Sequence, residues 1–250
     1  MTRIFERLSR MPGKTALWHM DLRTGAATAH RADLPLIAAS VIKLFIMAEA
    51  FRQFESGAFD PREAFIITPE AKLPSCGALT YMHDHLRVTA MDLVTLMIIL
   101  SDNTATNLLI DRLGMPAINA LIADYGFSGC ALNRKLFDRE ASLRGVQNYV
   151  TARGVGEFLL AIWERRLISP AASDRMLRIL RDQRLNGKIP FFLDCPVAHK
   201  TGEDDGITHD AAIVMSERPF ILVMLANEVH VPAFERLMQD AARGFAGGDA

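Results

Sequence analysis

The stretch Pro35–Ala50, Pro-Leu-Ile-Ala-Ala-Ser-Val-Ile-Lys-Leu-Phe-Ile-Met-Ala-Glu-Ala, is apolar on nearly every side, and before Glu49 only Ser40 and Lys43 interrupt it. A serine ahead of a helical pattern is a preferred N-cap. A lysine three positions later lies one turn further along the same face. A helix that is hydrophobic all round is a buried one, and an ammonium buried without a partner tends to give up its proton. Read this way, Ser40 and Lys43 are a nucleophile beside a base. Read locally, they are a cap and a snorkelling side chain, and the rest of the chain has to decide.

The 250 residues are enough for one large domain, half of them apolar, with 29 acidic against 28 basic side chains. Charges of both signs alternate along the chain, so no basic stripe marks a nucleic-acid partner. The longest apolar runs, near Val41–Ala50 and Leu93–Leu100, fall far short of the roughly 20 residues a membrane span needs. The first eleven residues carry charges throughout and no apolar run of the kind an export signal has, so a cytoplasmic location is expected. Cys76, Cys130 and Cys195 are odd in number and widely spaced, which suits free thiols in a reducing compartment. The expected partner is a small-molecule substrate, with no cofactor, no metal, no nucleic acid and no membrane, acting on a monomer.

Working outward, Thr15–Asp21 and Ala26–His30 alternate as strands around the turn Thr24-Gly25, and the Ser40 helix stops at Gly57. Met91–Ser101, Thr104–Leu113, Pro116–Tyr125, Ala152–Arg165 and Pro170–Arg181 carry a helical rhythm. Val197–Thr201, Thr208–Ser216 and Phe220–Glu228 are strands, and a helix from Pro232 to Arg243 closes the chain. Leu132–Val150 has no clear period, and a loop of that length in a compact domain is usually functional. The expected class is α/β (α+β): one antiparallel sheet built from both termini and flanked by helices, with an all-helical subdomain inserted. Residues 1–38 with 191–250 form the first part and 39–190 the second.

Two further polar motifs stand in apolar surroundings: Ser101-Asp102-Asn103 after Leu93–Leu100, and Lys200-Thr201-Gly202 at the end of a strand. Ser-x-x-Lys, Ser-Asp-Asn and Lys-Thr-Gly in that order resemble the signature of class A β-lactamases and penicillin-binding proteins. The run Met97 to Leu109 with Gly114 is also similar to the helix pair of class A enzymes. The resemblance implies a β-lactamase/transpeptidase-like fold and acyl transfer through Ser40. Lys43 would be its base or part of its proton network, held neutral part of the time by burial and by Lys200. It further implies that Ser101 relays a proton to the leaving nitrogen, and that the N–H groups of Ser40 and Glu203 form an oxyanion hole. Asn103 and Thr201 would hold the substrate's amide and carboxylate, with Gly202 allowing a backbone edge to come close. Asp102 and Asn107 read better as residues that stitch local structure.

Two departures from the family pattern stand out. Class A enzymes carry Arg-x-Glu-x-x-Leu-Asn in the long loop, whose glutamate activates the deacylating water. Here Arg134 is followed by Lys135 and Leu136, so leucine takes the glutamate's place, and Asp138 or Glu140 is the candidate stand-in. The alternative is that this loop merely packs, with Arg134 bridging to one of these acids. Lys-Thr-Gly is followed by Glu203-Asp204-Asp205, with His209 on the next strand where an arginine would grip a carboxylate. An acidic patch repels a carboxylate, so the substrate is either held by Lys200 and Thr201 alone or is not a penicillin. A β-lactamase-like serine hydrolase is the leading reading, with an intracellular esterase or amidase, a penicillin-binding protein, or a non-catalytic binding protein as alternatives.

Overall fold

Strands from the two ends of the chain meet in one five-stranded sheet. The computed structural model describes residues 2–247. In chain order the elements are α1 Thr2–Arg10, β1 Lys14–Asp21, β2 Ala27–His30, β3 Leu36–Ile37, α2 Lys43–Ser56, β4 Ala64–Ile67, β5 Leu86–Thr89, α3 Ala90–Ile99, α4 Asn103–Leu113, α5 Met115–Asp124, α6 Arg139–Leu143, β6 Tyr149–Val150, α7 Ala152–Trp163, α8 Pro170–Arg181, β7 Val197–Asp204, β8 Ile207–Val214, β9 Phe220–Asn227 and α9 Val231–Gly247. The sheet runs β2-β1-β9-β8-β7, and each neighbouring pair is antiparallel. Beside the sheet lie the small ladders β3·β6 and β4·β5. The fold is the mixed helix and antiparallel-sheet arrangement that the resemblance implies.

The period-2 alternation of the strands explains why the central ones are apolar throughout. On β9, Ile221, Val223 and Leu225 join the larger core with the helices of the middle of the chain. Phe220, Leu222, Met224 and Ala226 face the other way and pack with α1 and α9. Both faces of the sheet are therefore covered, and β9 and β8 are buried along their whole length. Burying one such side chain contributes about 1.5–3 kcal/mol, so these two faces carry most of the driving force for joining the termini.

The inserted helices start and stop where side chains can satisfy their ends. Thr89 and Asp92 form a capping box on α3, Asp102 caps α4, and Ser169 caps α8 ahead of Pro170. α2 ends at Gly57, whose φ of +75° is the left-handed turn that glycine adopts without strain. The long segment Leu132–Val150 is not structureless: α6 and β6 interrupt it. β7 is an outer strand of the sheet, and this placement leaves one of its edges available to whatever occupies the site beside it.

Candidate active site

Ser40 does not cap a helix. It sits in a 3₁₀ turn, Ala39–Ile42, that runs directly into α2, and the residue before α2 is Ile42, which makes no side-chain cap. Ala39, immediately before Ser40, has φ +41°, a conformation that costs an L-residue about 1–2 kcal/mol. The turn is held there from outside: Ala38 N–H donates to Asn148 O at 2.9 Å, and β7 packs against it. A Cβ on Gly202 would lie 3.1 Å from His209 Cδ2, 3.2 Å from Val41 Cγ2 and 3.3 Å from Ala39 Cβ. Gly202 therefore leaves room for the His209 ring and for the side chains of the Ser40 turn.

Ser101 lies between α3 and α4 with φ +55°, a second non-glycine residue in the left-handed region at the same site. Asp102 fixes it. One carboxylate oxygen accepts from Ala105 N at 2.9 Å, and the other accepts from Ala78 N at 2.7 Å and Leu79 N at 2.9 Å. Asp102 thus stitches the start of the 3₁₀ turn Leu79–Tyr81 to the start of α4, the structural role read for it. Lys43 Nζ donates to Ser101 O at 2.7 Å, Ser101 Oγ at 3.1 Å and Asn103 Oδ1 at 2.9 Å. Lys200 Nζ reaches the same Ser101 Oγ at 3.1 Å and Thr201 O at 2.8 Å. One hydroxyl bridges two buried amines.

These three bonds occupy every proton of a Lys43 ammonium, so none is left for Ser40. Burial, and next the charge of Lys200, hold Lys43 well below the usual lysine range. Burial, and next the charge of Lys188, bring Lys200 down to about 7. When Lys43 is neutral it has a lone pair to offer, and Ser101 can donate into it.

Lys188 is a residue the sequence did not single out. It is buried, donates to Gly202 O at 3.1 Å and His209 O at 3.3 Å, and pairs with Glu203 at 3.0 Å and Glu235 at 3.7 Å. It lies behind the strand that carries Lys200, so much of the charge of Glu203 is already met. The segment carrying it is pinned by Ile189 N donating to Asp210 Oδ2 at 3.0 Å. No period or motif around Asn186-Gly187-Lys188 marks it.

His209 requires a correction. Its ring is fully buried, with Nε2 at 2.8 Å from Ile37 O and Nδ1 accepting from Ala226 N at 3.1 Å. Both nitrogens are spent on backbone, and burial pulls its pKa down to about 4, so it supports the floor of the site as a neutral ring and does not face substrate. The acid bridge of the packing alternative is not made: Arg134 reaches Gln147 Oε1 at 2.8 Å and Val146 O at 3.1 Å.

The long loop is nailed down by amides. Asn107 clamps the Leu136 backbone from both sides, Nδ2 to O at 2.9 Å and Leu136 N to Oδ1 at 2.9 Å. Asn148 accepts from Asn133 N at 2.8 Å and Arg134 N at 3.0 Å. The clamp delivers Leu136 to a cavity of about 410 Å³, whose lining includes Ser40, Cys76, Asn103, Asp138 and Glu203. Asp138 lies on this wall but already caps α6 through Ala141 N at 2.9 Å. Glu140 is exposed and faces Arg144 at 3.8 Å. Among the described residues no three His, Cys, Asp or Glu side chains gather for a metal ion.

Comparison with known proteins agrees with this arrangement. A β-lactamase from Sphaerobacter thermophilus is 26% identical, covers 99% of this chain and 96% of its own, and superposes with a TM-score of 0.93. PBP-A is 28% identical over 99% of this chain and 94% of its own, TM-score 0.88. A variant of PBP-A in which leucine is replaced by glutamate is described as an acyl-enzyme complex with penicillin-G, at 27% identity. An ancestral class A β-lactamase, 22% identical, shares the fold with a TM-score of 0.89 over 99% of this chain and 98% of its own. The family model for β-lactamase enzymes matches residues 1–245, and the chain belongs to the beta-lactamase enzyme family.

Proposed function

We propose that the protein is a serine hydrolase acylated at Ser40 by a β-lactam or a related amide or ester, and that its acyl-enzyme is released slowly. The observation that carries this reading is the Ser101 hydroxyl held at 3.1 Å from both Lys43 and Lys200, next to a cavity that Ser40 lines. Neutral Lys43 takes the Ser40 proton as Oγ attacks the carbonyl carbon, and the carbonyl oxygen becomes an oxyanion beside the N–H groups of Ser40 and Glu203. The C–N bond then breaks. Ser101 gives its proton to the leaving nitrogen and is resupplied from Lys43 or Lys200, so no net charge accumulates. Lys200 supplies positive charge toward a substrate carboxylate, while Lys188, behind β7, pairs with Glu203 at 3.0 Å and so offsets part of the acidic run after Gly202.

Release requires a water and a base on the Leu136 wall, and an alkyl side chain there can be neither. Losing a general base typically costs about a hundred- to ten-thousand-fold. The presence of PBP-A among the relatives at 28% identity favours a penicillin-binding behaviour over rapid hydrolysis. Intact mass spectrometry after incubation with a penicillin tests the reading: a stoichiometric adduct that vanishes in Ser40→Ala is expected. An adduct persisting in Ser40→Ala, or no adduct in the wild type with any penicillin or cephalosporin, contradicts it.

A further inference from the structure

Away from the Ser40 cavity, the two terminal helices enclose a second cleft, of about 570 Å³, between α1 and α9. Four of its lining side chains are arginines, Arg3, Arg7, Arg236 and Arg243, against a single carboxylate, Asp240. Asp240 is fully used: Oδ2 takes Arg7 at 2.9 Å and Oδ1 takes Arg236 at 3.2 Å. Among the described residues Arg3 and Arg243 have no carboxylate partner. Arg3 and Arg7 are four apart on one helix, a like-charge spacing that destabilises a helix by a few tenths of a kcal/mol, and the opposing helix adds two more cations. The guanidiniums of Arg236 and Arg243 lie 5.1 Å and 5.6 Å from the centre of the Phe192 ring, a contact that helps to order both side chains.

We propose that this cleft binds a phosphate-bearing ligand. A planar carboxylate satisfies one or two guanidinium forks, as Asp240 does here. A phosphate offers three acceptor oxygens in a tetrahedral spread and up to two negative charges, and so can take Arg3 and Arg243 together without displacing Asp240. The volume is that of a small-molecule site. The phosphate belongs either to a soluble ester or to a lipid headgroup, and the two sources share the same recognition.

The test uses the whole chain and a Arg3→Gln/Arg243→Gln double variant, which leaves the Asp240 pairs in place. Thermal melts confirm that the variant folds, and Arg62→Gln, at an exposed arginine paired with Asp60, serves as a charge control. Calorimetric titration with inorganic pyrophosphate is run beside titration with citrate, and sedimentation with phosphatidylcholine vesicles with and without phosphatidic acid covers the lipid source. Saturable pyrophosphate binding that weakens at least about tenfold in the double variant and is unchanged in the control supports a soluble ligand, because each charge-assisted hydrogen bond lost is worth that much or more. Sedimentation that depends on phosphatidic acid and is lost in the double variant supports a lipid. Binding equal in wild type and double variant, citrate binding as tight as pyrophosphate, or no saturable binding in either arm overturns the proposal.

Discussion

At the scale of single residues the site depends on two backbones bent into the left-handed region, Ala39 and Ser101, each held by neighbours that could not be named from spacing alone. In the proposed mechanism the Ser101 hydroxyl is the junction of the proton path, so Ser101→Ala should slow acylation about a hundred- to ten-thousand-fold; stopped-flow acylation by a chromogenic cephalosporin measures it, and an unchanged rate would remove Ser101 from the path. The pH profile of the same rate has a defined sign. Lys43 must be neutral to accept the Ser40 proton, so acylation falls toward acid. Lys200 loses its charge above about 7, so an alkaline limb is expected there, and Lys200→Arg, which cannot deprotonate, should abolish that limb. Asp102 accepts three N–H bonds, and Asp102→Ala should lower the unfolding free energy read from urea denaturation by about 3 kcal/mol or more, since each stranded donor costs about 1–3 kcal/mol.

The elements were legible to the extent that they were long and periodic. α8 begins at the expected Pro170 and ends at Arg181, and the remaining long helices and the five main strands lie close to their expected positions. The two-residue strands β3 and β6 and the five-residue α6 were not visible, because a segment of that length shows no period. Ser40 was misread as a cap because a 3₁₀ turn entering a helix has the same local sequence as a helix start. The loop bearing Leu136 is the element whose behaviour is most open to experiment. Leu136→Glu should speed loss of the acyl group, measured as the decay of the mass adduct. Asp138→Asn should slow the residual decay while Glu140→Gln leaves it alone, because Asp138 lines the cavity and Glu140 does not. Asparagine is an equally good helix cap, so α6 survives the change and the comparison isolates the carboxylate. Equal decay in both variants would assign the residual base elsewhere.

Across the whole molecule the three motifs come together as their order suggested, because the sheet joins the termini and brings β7 against the turn that precedes α2. Lys188 was hidden and His209 was assigned to the substrate side, since both act through contacts between segments with no fixed spacing. His209 also couples stability to pH. It titrates near 4 when folded and near 6.5 when unfolded, so the unfolded chain binds more protons in between and stability drops as pH falls from 6.5 to 4. One such shift corresponds to about 3 kcal/mol; urea midpoints across that range should fall, and fall less in a folded His209→Gln. With Leu136 on the cavity wall, formation of the acyl-enzyme should outpace its loss. Rapid mixing of enzyme with a chromogenic β-lactam measures both steps at once. A burst of one product per enzyme followed by slow turnover, with the adduct present by mass throughout the slow phase, is the predicted result; fast steady turnover without a burst and without an adduct would contradict it.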